Sequence, residues 1–217
     1  MRRPLSLTLW TLILSTLLIS TGASARSKGP MRFDALDLDR LESEICVATN
    51  EIRVAHGLKA LPRSAPLAKA ARGHASRMAR LKFFGHDDPT DPARATPADR
   101  ARLAGVSNPY IAENVAVRTG LRIGDGDAVY VVDRARGIFS TRPGGPQVPA
   151  HSYRSFAQAI LDQWMASPGH RENILSGDGK QMGCGVALRY KQGMPRLYGV
   201  QMFQWFEGVK ARPRATP

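Results

Sequence analysis

Only two cysteines occur in the chain, Cys46 and Cys184, and 138 positions separate them. What they can do depends on the compartment, and the N-terminus reads as an export signal. Arg2 and Arg3 form a positive start, Leu5 to Ile19 an apolar run and Ala23-Ser24-Ala25 a small-residue cleavage site, so removal of residues 1–25 is expected. The other reading is an uncleaved membrane anchor, for which the apolar run is short. Outside the cytosol a pair of thiols tends to oxidise, and these two are then the only possible intramolecular bridge. By loop closure, such a bridge stabilises the fold by about 5 kcal/mol. It also ties an early segment to a late one. Two separate buried thiols are the alternative. Neither cysteine has a C-x-x-C neighbour, which counts against redox catalysis and thiolate zinc.

The 217 residues suffice for one domain with a core, plus removable ends. Leu38, Leu41, Ile45, Ala48, Ile52 and Ala55 make one helical stripe, capped by Asp37 and closed at Gly57. Leu67, Ala71, His74, Met78 and Leu81 make a second, entered through Ser64 and Pro66 and left before Gly85. Its other face, Lys69, Arg72, Ser76 and Arg80, is expected to be solvated. Thr96-Pro97-Ala98-Asp99 starts a short helix that Gly105 closes, and Ser155-Phe156-Ala157-Gln158 opens another ending near Ser167, before Pro168. Met182 to Tyr190 and Arg196 to Phe206 read as a hairpin. Helices first and strands last give an α+β class.

Residues 26–36 read as a linker and 208–217 as a disordered basic tail. Between them, Arg118 to Ala150 reads as a peripheral insertion, a hairpin with a mobile loop. Asp125 and Asp127 within it invite a calcium reading, but Val129 and Arg136 stand where ligands belong, which favours a plain turn.

The five histidines separate by context. His74 lies on an apolar helix face and reads as a hydrogen-bonded core residue. His56 precedes a helix-ending glycine and reads as a C-terminal cap, and His151 reads as a surface residue. His86 and His170 each follow a helix exit, on turns that display functional groups.

In order along the chain stand NEIRVAHGLKAL (Asn50 to Leu61), FFGH (Phe83 to His86), AENVA (Ala112 to Ala116), WMASPGHRENIL (Trp164 to Leu175), GCGVA (Gly183 to Ala187) and VQMF (Val200 to Phe203). By these blocks the chain resembles the CAP superfamily, also called the SCP or pathogenesis-related-1-like domain, in its bacterial branch, over about residues 37–207. The resemblance implies an α-β-α sandwich, with an antiparallel sheet between helical layers and a cleft lined by histidines and acidic residues. By motif these are His86, His170 and Glu113. Many eukaryotic members carry a second glutamate where this chain has Ser167, which removes one carboxylate.

Two imidazoles and a carboxylate suit a divalent cation, and the resemblance points to zinc held by His86 and His170, with Glu113 as third ligand or orienting acceptor. The alternative is that these groups bond one another and fix the loops. No Gly-x-Ser-x-Gly or His-Glu-x-x-His occurs. A metal-dependent or serine-type hydrolase, with Ser167 beside His170, is therefore the weaker expectation. The stronger one is a secreted or periplasmic binding module for a lipid, a peptide or an envelope component. The net charge of +13, only two charges of which sit in the export signal, favours anionic partners, membrane surfaces included. The basic residues are dispersed and lack stacking aromatics, which excludes a nucleic-acid role.

Overall fold

The computed structural model describes residues 29–124, 128–134 and 137–206. The export signal, the basic tail and the Asp125/Asp127 calcium reading lie outside the described residues.

Helices α1 (Leu38–Ala55), α2 (Ala65–Leu81) and α3 (Pro97–Leu103) precede strand β1 (Ile111–Thr119) and the hairpin β2 (Tyr130–Asp133) and β3 (Ile138–Ser140). Helices α4 (Tyr153–Ala166) and α5 (Pro168–Leu175) and strands β4 (Gln181–Lys191) and β5 (Met194–Gln204) complete the order. The main sheet runs β1-β5-β4, antiparallel throughout, with Val200 of β5 opposite Val115 on one side and Gly185 on the other.

Strand alternation sorts neighbouring side chains into two cores. Ala116, Cys184, Val186 and Phe203 face α1 and α4, whose Ile45, Ile160 and Trp164 are fully buried. Val115, Ala187, Val200 and Met202 face α2 and α3, against Leu67, Ala71, Met78 and Ala101. The fold is thus an α+β sandwich with the antiparallel sheet between helical layers. Cys46 and Cys184 are joined as a disulfide between α1 and β4, with Cα atoms 6.1 Å apart.

Helix α2 lies directly on β4. A Cβ at Gly183 would fall within the backbone of Leu67 and Ala68, and one at Gly185 within that of Ala71 and Arg72. The outer edge of β4 is covered as well, because buried Glu42 on α1 accepts the Val186 N–H (3.0 Å) and the Arg72 Nε–H (2.8 Å). Arg72, exposed as expected of that face, is at the same time the far arm of a clamp around that edge.

Several boundaries differ from the sequence expectation. Helix α4 is capped by Ser152, three residues before the expected start, and Ser155 is the other half of the capping box. The chain leaves α2 through Lys82, which adopts the left-handed conformation (φ 66°) expected of a glycine. Pro168 opens α5 as its first residue, so His170 sits in the first turn of a helix. Strand β1 was unanticipated.

Two segments expected at the periphery belong to the core. Met31 and Phe33 are buried, and the Met31 N–H donates to the His151 carbonyl (2.7 Å), so residues 29–36 pack as part of the domain. Leu121, Phe139 and Val148 of the expected insertion are also buried, with the Val148 N–H on the Phe139 carbonyl.

One substitution should act with opposite signs at two glycines. Gly185→Ala is expected to cost about 3 kcal/mol or more, since a backbone must move. Gly73→Ala, in α2 with open space at its Cβ, should gain up to about 1 kcal/mol from helix propensity. Urea denaturation of both variants checks this. Intact mass before and after reduction, with the melting point of each form, tests the bridge. Two free thiols in the native protein would refute it.

Candidate functional site

His86 is held through its backbone from two directions. The His74 ring, fully buried on α2, donates through Nε2 to the carbonyl of Gly85 (2.8 Å), and Arg100 on α3 donates through Nη2 to the carbonyl of His86 itself (2.7 Å). The same Nη2 reaches both oxygens of Glu113, at 3.1 and 2.9 Å. Arg100 is 4% exposed and Glu113 6%, so this is a buried ion pair. Nη1 of Arg100 serves the carbonyls of Arg94 and Ala95. Glu113 Oε1 then lies 3.1 Å from His86 Nδ1.

His170 stands opposite, its ring centroid 6.4 Å from that of His86. Its carbonyl accepts from Asn114 Nδ2 (3.1 Å), which also reaches Gln201 Oε1, while Asn173 donates to Asn114 Oδ1 (2.9 Å). Gln201 passes the chain on to Thr49 of α1. A buried polar line thus ties α5, β1, β5 and α1 together and holds the backbone of His170, whose imidazole has no hydrogen-bond partner among the described residues.

The two rings are tuned apart. The hydrogen bond from His86 to Glu113, outweighing burial, raises the histidine above its ordinary value. Burial, with the nearby charge of His86, lowers His170.

All three expected site residues therefore meet. Among the described residues, however, no three His, Cys, Asp or Glu side chains are disposed around a common ion position. The carboxylate of Glu113 is engaged by Arg100 and His86, which makes it an orienting acceptor. The side chain of Ser167 makes no cap hydrogen bond to α5. His56 caps α1 as expected, with Nδ1 2.8 Å from the Ile52 carbonyl. His151 is not a surface residue: it is half-buried beside Ser155, and burial with Arg118 and Arg122 pushes it down to about 4. Sequence reasoning missed Arg100, Asn114, Asn173 and the hold of His74 on Gly85. The only available signal was the polarity of Glu113-Asn114 inside an otherwise apolar run.

Residues 47–203 match the profile of the cysteine-rich secretory protein family, CAP. The chain belongs to this family. A relative in Bacillus subtilis (strain 168), the uncharacterized membrane protein YlbC, is 28% identical over 149 residues, covering 69% of this CAP chain and 32% of YlbC. The chain thus spans about a third of that relative. An extracellular SCP-domain protein of Bacillus anthracis superposes with a TM-score of 0.52 at 23% identity, over 77% of this chain and 41% of that one. An outer surface protein of Borrelia burgdorferi gives 0.49 at 13% identity, over 82% of this chain and all of the other.

Two outcomes are expected at the site. In an NMR pH titration His86 should titrate above about 6.5 and His170 below it. Glu113→Gln should lower His86, and His86→Ala should raise His170. Because the folded value of His86 exceeds the unfolded one, its bond to Glu113 adds stability below about pH 6.5, and this is lost as the pH rises through the folded value. Arg100→Ala, which strands a buried carboxylate, should cost about 3 to 5 kcal/mol in urea denaturation. Arg100→Met with Glu113→Leu should recover most of that.

Proposed function

We propose that this CAP domain is an exported binding module whose His86 and His170 hold a divalent cation, zinc by donor chemistry, at which a polar group of a ligand is received. The carrying observation is the set of contacts at His86. Its Nδ1 is occupied by a carboxylate, which leaves Nε2 as the donor, and a carboxylate–imidazole pair of this kind orients and strengthens a metal ligand. His170 contributes a neutral second imidazole. Two protein ligands leave the cation open to water and to the carboxylate or phosphate of a lipid, peptide or envelope component. The basic excess of the chain draws such anionic partners to it.

Export is supported by the N-terminal signal and by a structural neighbour described as an extracellular protein. No helix among the described residues is long and apolar enough to cross a membrane.

Calorimetric titration with zinc tests the reading. His86→Ala and His170→Ala should each weaken binding by at least about tenfold, and Glu113→Gln by about 10- to 100-fold through loss of the orienting acceptor. Zinc at a hundred times its dissociation constant should stabilise the wild type by about 2.7 kcal/mol. Wild-type affinity in both histidine variants would overturn the proposal.

A further inference from the structure

Behind the histidine pair, between α2 and α3, lies a second cavity of about 430 Å³, lined by Lys69, Gly73, His74, Arg77, Arg94 and Arg100. Its size is that of a small-ligand pocket. No carboxylate lines it. Two of its residues carry buried polar atoms with no partner among the described residues, Nδ1 of His74 and Nε of Arg100. Both side chains are more than nine-tenths buried, His74 at 0% and Arg100 at 4% exposed.

The two orphaned atoms are complementary. His74 Nε2 faces the carbonyl of Gly85, which only accepts, so that nitrogen carries the hydrogen. Burial keeps the ring neutral, which leaves Nδ1 an acceptor. Arg100 Nε–H is a donor. A hydroxyl carries the matching acceptor for Arg100 and the matching donor for His74, and buried groups of this kind are costly to leave unmet. At the mouth the chemistry changes. Arg77 is paired with Asp88 and lies 3.7 Å from Asp91, which also pairs with Arg94, while Lys69 has no carboxylate partner among the described residues. An ammonium beside two guanidinium forks receives a phosphate. Ala70 and Leu103 supply an apolar wall for a short carbon chain.

We propose that this cavity binds a phosphorylated polyol, with one hydroxyl between Arg100 Nε and His74 Nδ1 and the phosphate at Lys69, Arg77 and Arg94. The site lies apart from the cation-binding pair and does not rest on that reading.

Titration calorimetry of the wild-type chain with glycerol 3-phosphate tests it, with inorganic phosphate and glycerol as separate probes and a chelator present throughout to keep the result independent of any metal. Glycerol 3-phosphate should bind at least about tenfold more tightly than either fragment. Lys69→Ala and Arg94→Ala should each weaken it about tenfold. Gly73→Leu, whose Cβ meets open space on a helix that gains from losing a glycine, should fold normally and abolish binding. Arg63→Ala, on the neighbouring groove along α2, should change nothing. No binding by the wild type overturns the proposal, and so does phosphate binding as tightly as glycerol 3-phosphate. Unchanged affinity in Gly73→Leu, or a loss with Arg63→Ala in place of Arg94→Ala, overturns it as well.

Discussion

Helix α2 can rest on strand β4 only because Gly183 and Gly185 present no side chain to it, so the two backbones meet where a Cβ would not fit. Strand alternation turns the residue between them, Cys184, to the opposite face, where it is bonded to Cys46 of α1. Three consecutive residues therefore fix both helical layers to the sheet, one by close approach and one covalently. The rest of the α2 side follows from this seating. Once α2 is placed, His74 reaches Gly85 and sets where the chain turns, which in turn delivers His86 to Glu113.

The site depends on a buried charge pair that holds the turn carrying His86. An ion pair such as Arg100–Glu113 adds little net stability against an apolar replacement, because desolvation offsets most of the attraction. What it supplies is a single arrangement, since any other strands a charge in the interior. One guanidinium meets the carbonyls of Arg94, Ala95 and His86 as well as the carboxylate, so α3, the turn after α2 and β1 are brought into register together. The asparagine line does the same for His170 from the other side.

Local chemistry was legible in the sequence where it is self-contained. The stripes of α1 and α2, the caps at Asp37, Ser64 and Thr96 and the β4–β5 hairpin all follow from short-range spacing. The motif blocks located His86, Glu113 and His170. What escaped depends on tertiary partners. Strand β1 hides because Glu113 and Asn114 interrupt its apolar pattern, and they are tolerated only because Arg100 and Asn173 meet them. Arg100 itself looks like any helical arginine until α3 is folded over β1. Arg72 is exposed as its helix face implies, but its pairing with Glu42 is hidden because that partner lies 30 residues earlier. Met31, Phe33 and Phe139 were placed outside the core because their flanks are rich in turn-forming residues.

The bridge between Cys46 and Cys184 spans 138 positions, and His74, His86, Arg100, Glu113 and His170 all lie inside the ring it closes. A single cut in an exposed stretch of that ring, such as Thr141 to Gly144, opens the ring without dividing the molecule. The two pieces stay covalently joined at α1 and β4, and β1 from one remains paired with β5 from the other. One nick there leaves the histidine pair assembled, and the pieces part only when the disulfide is also reduced.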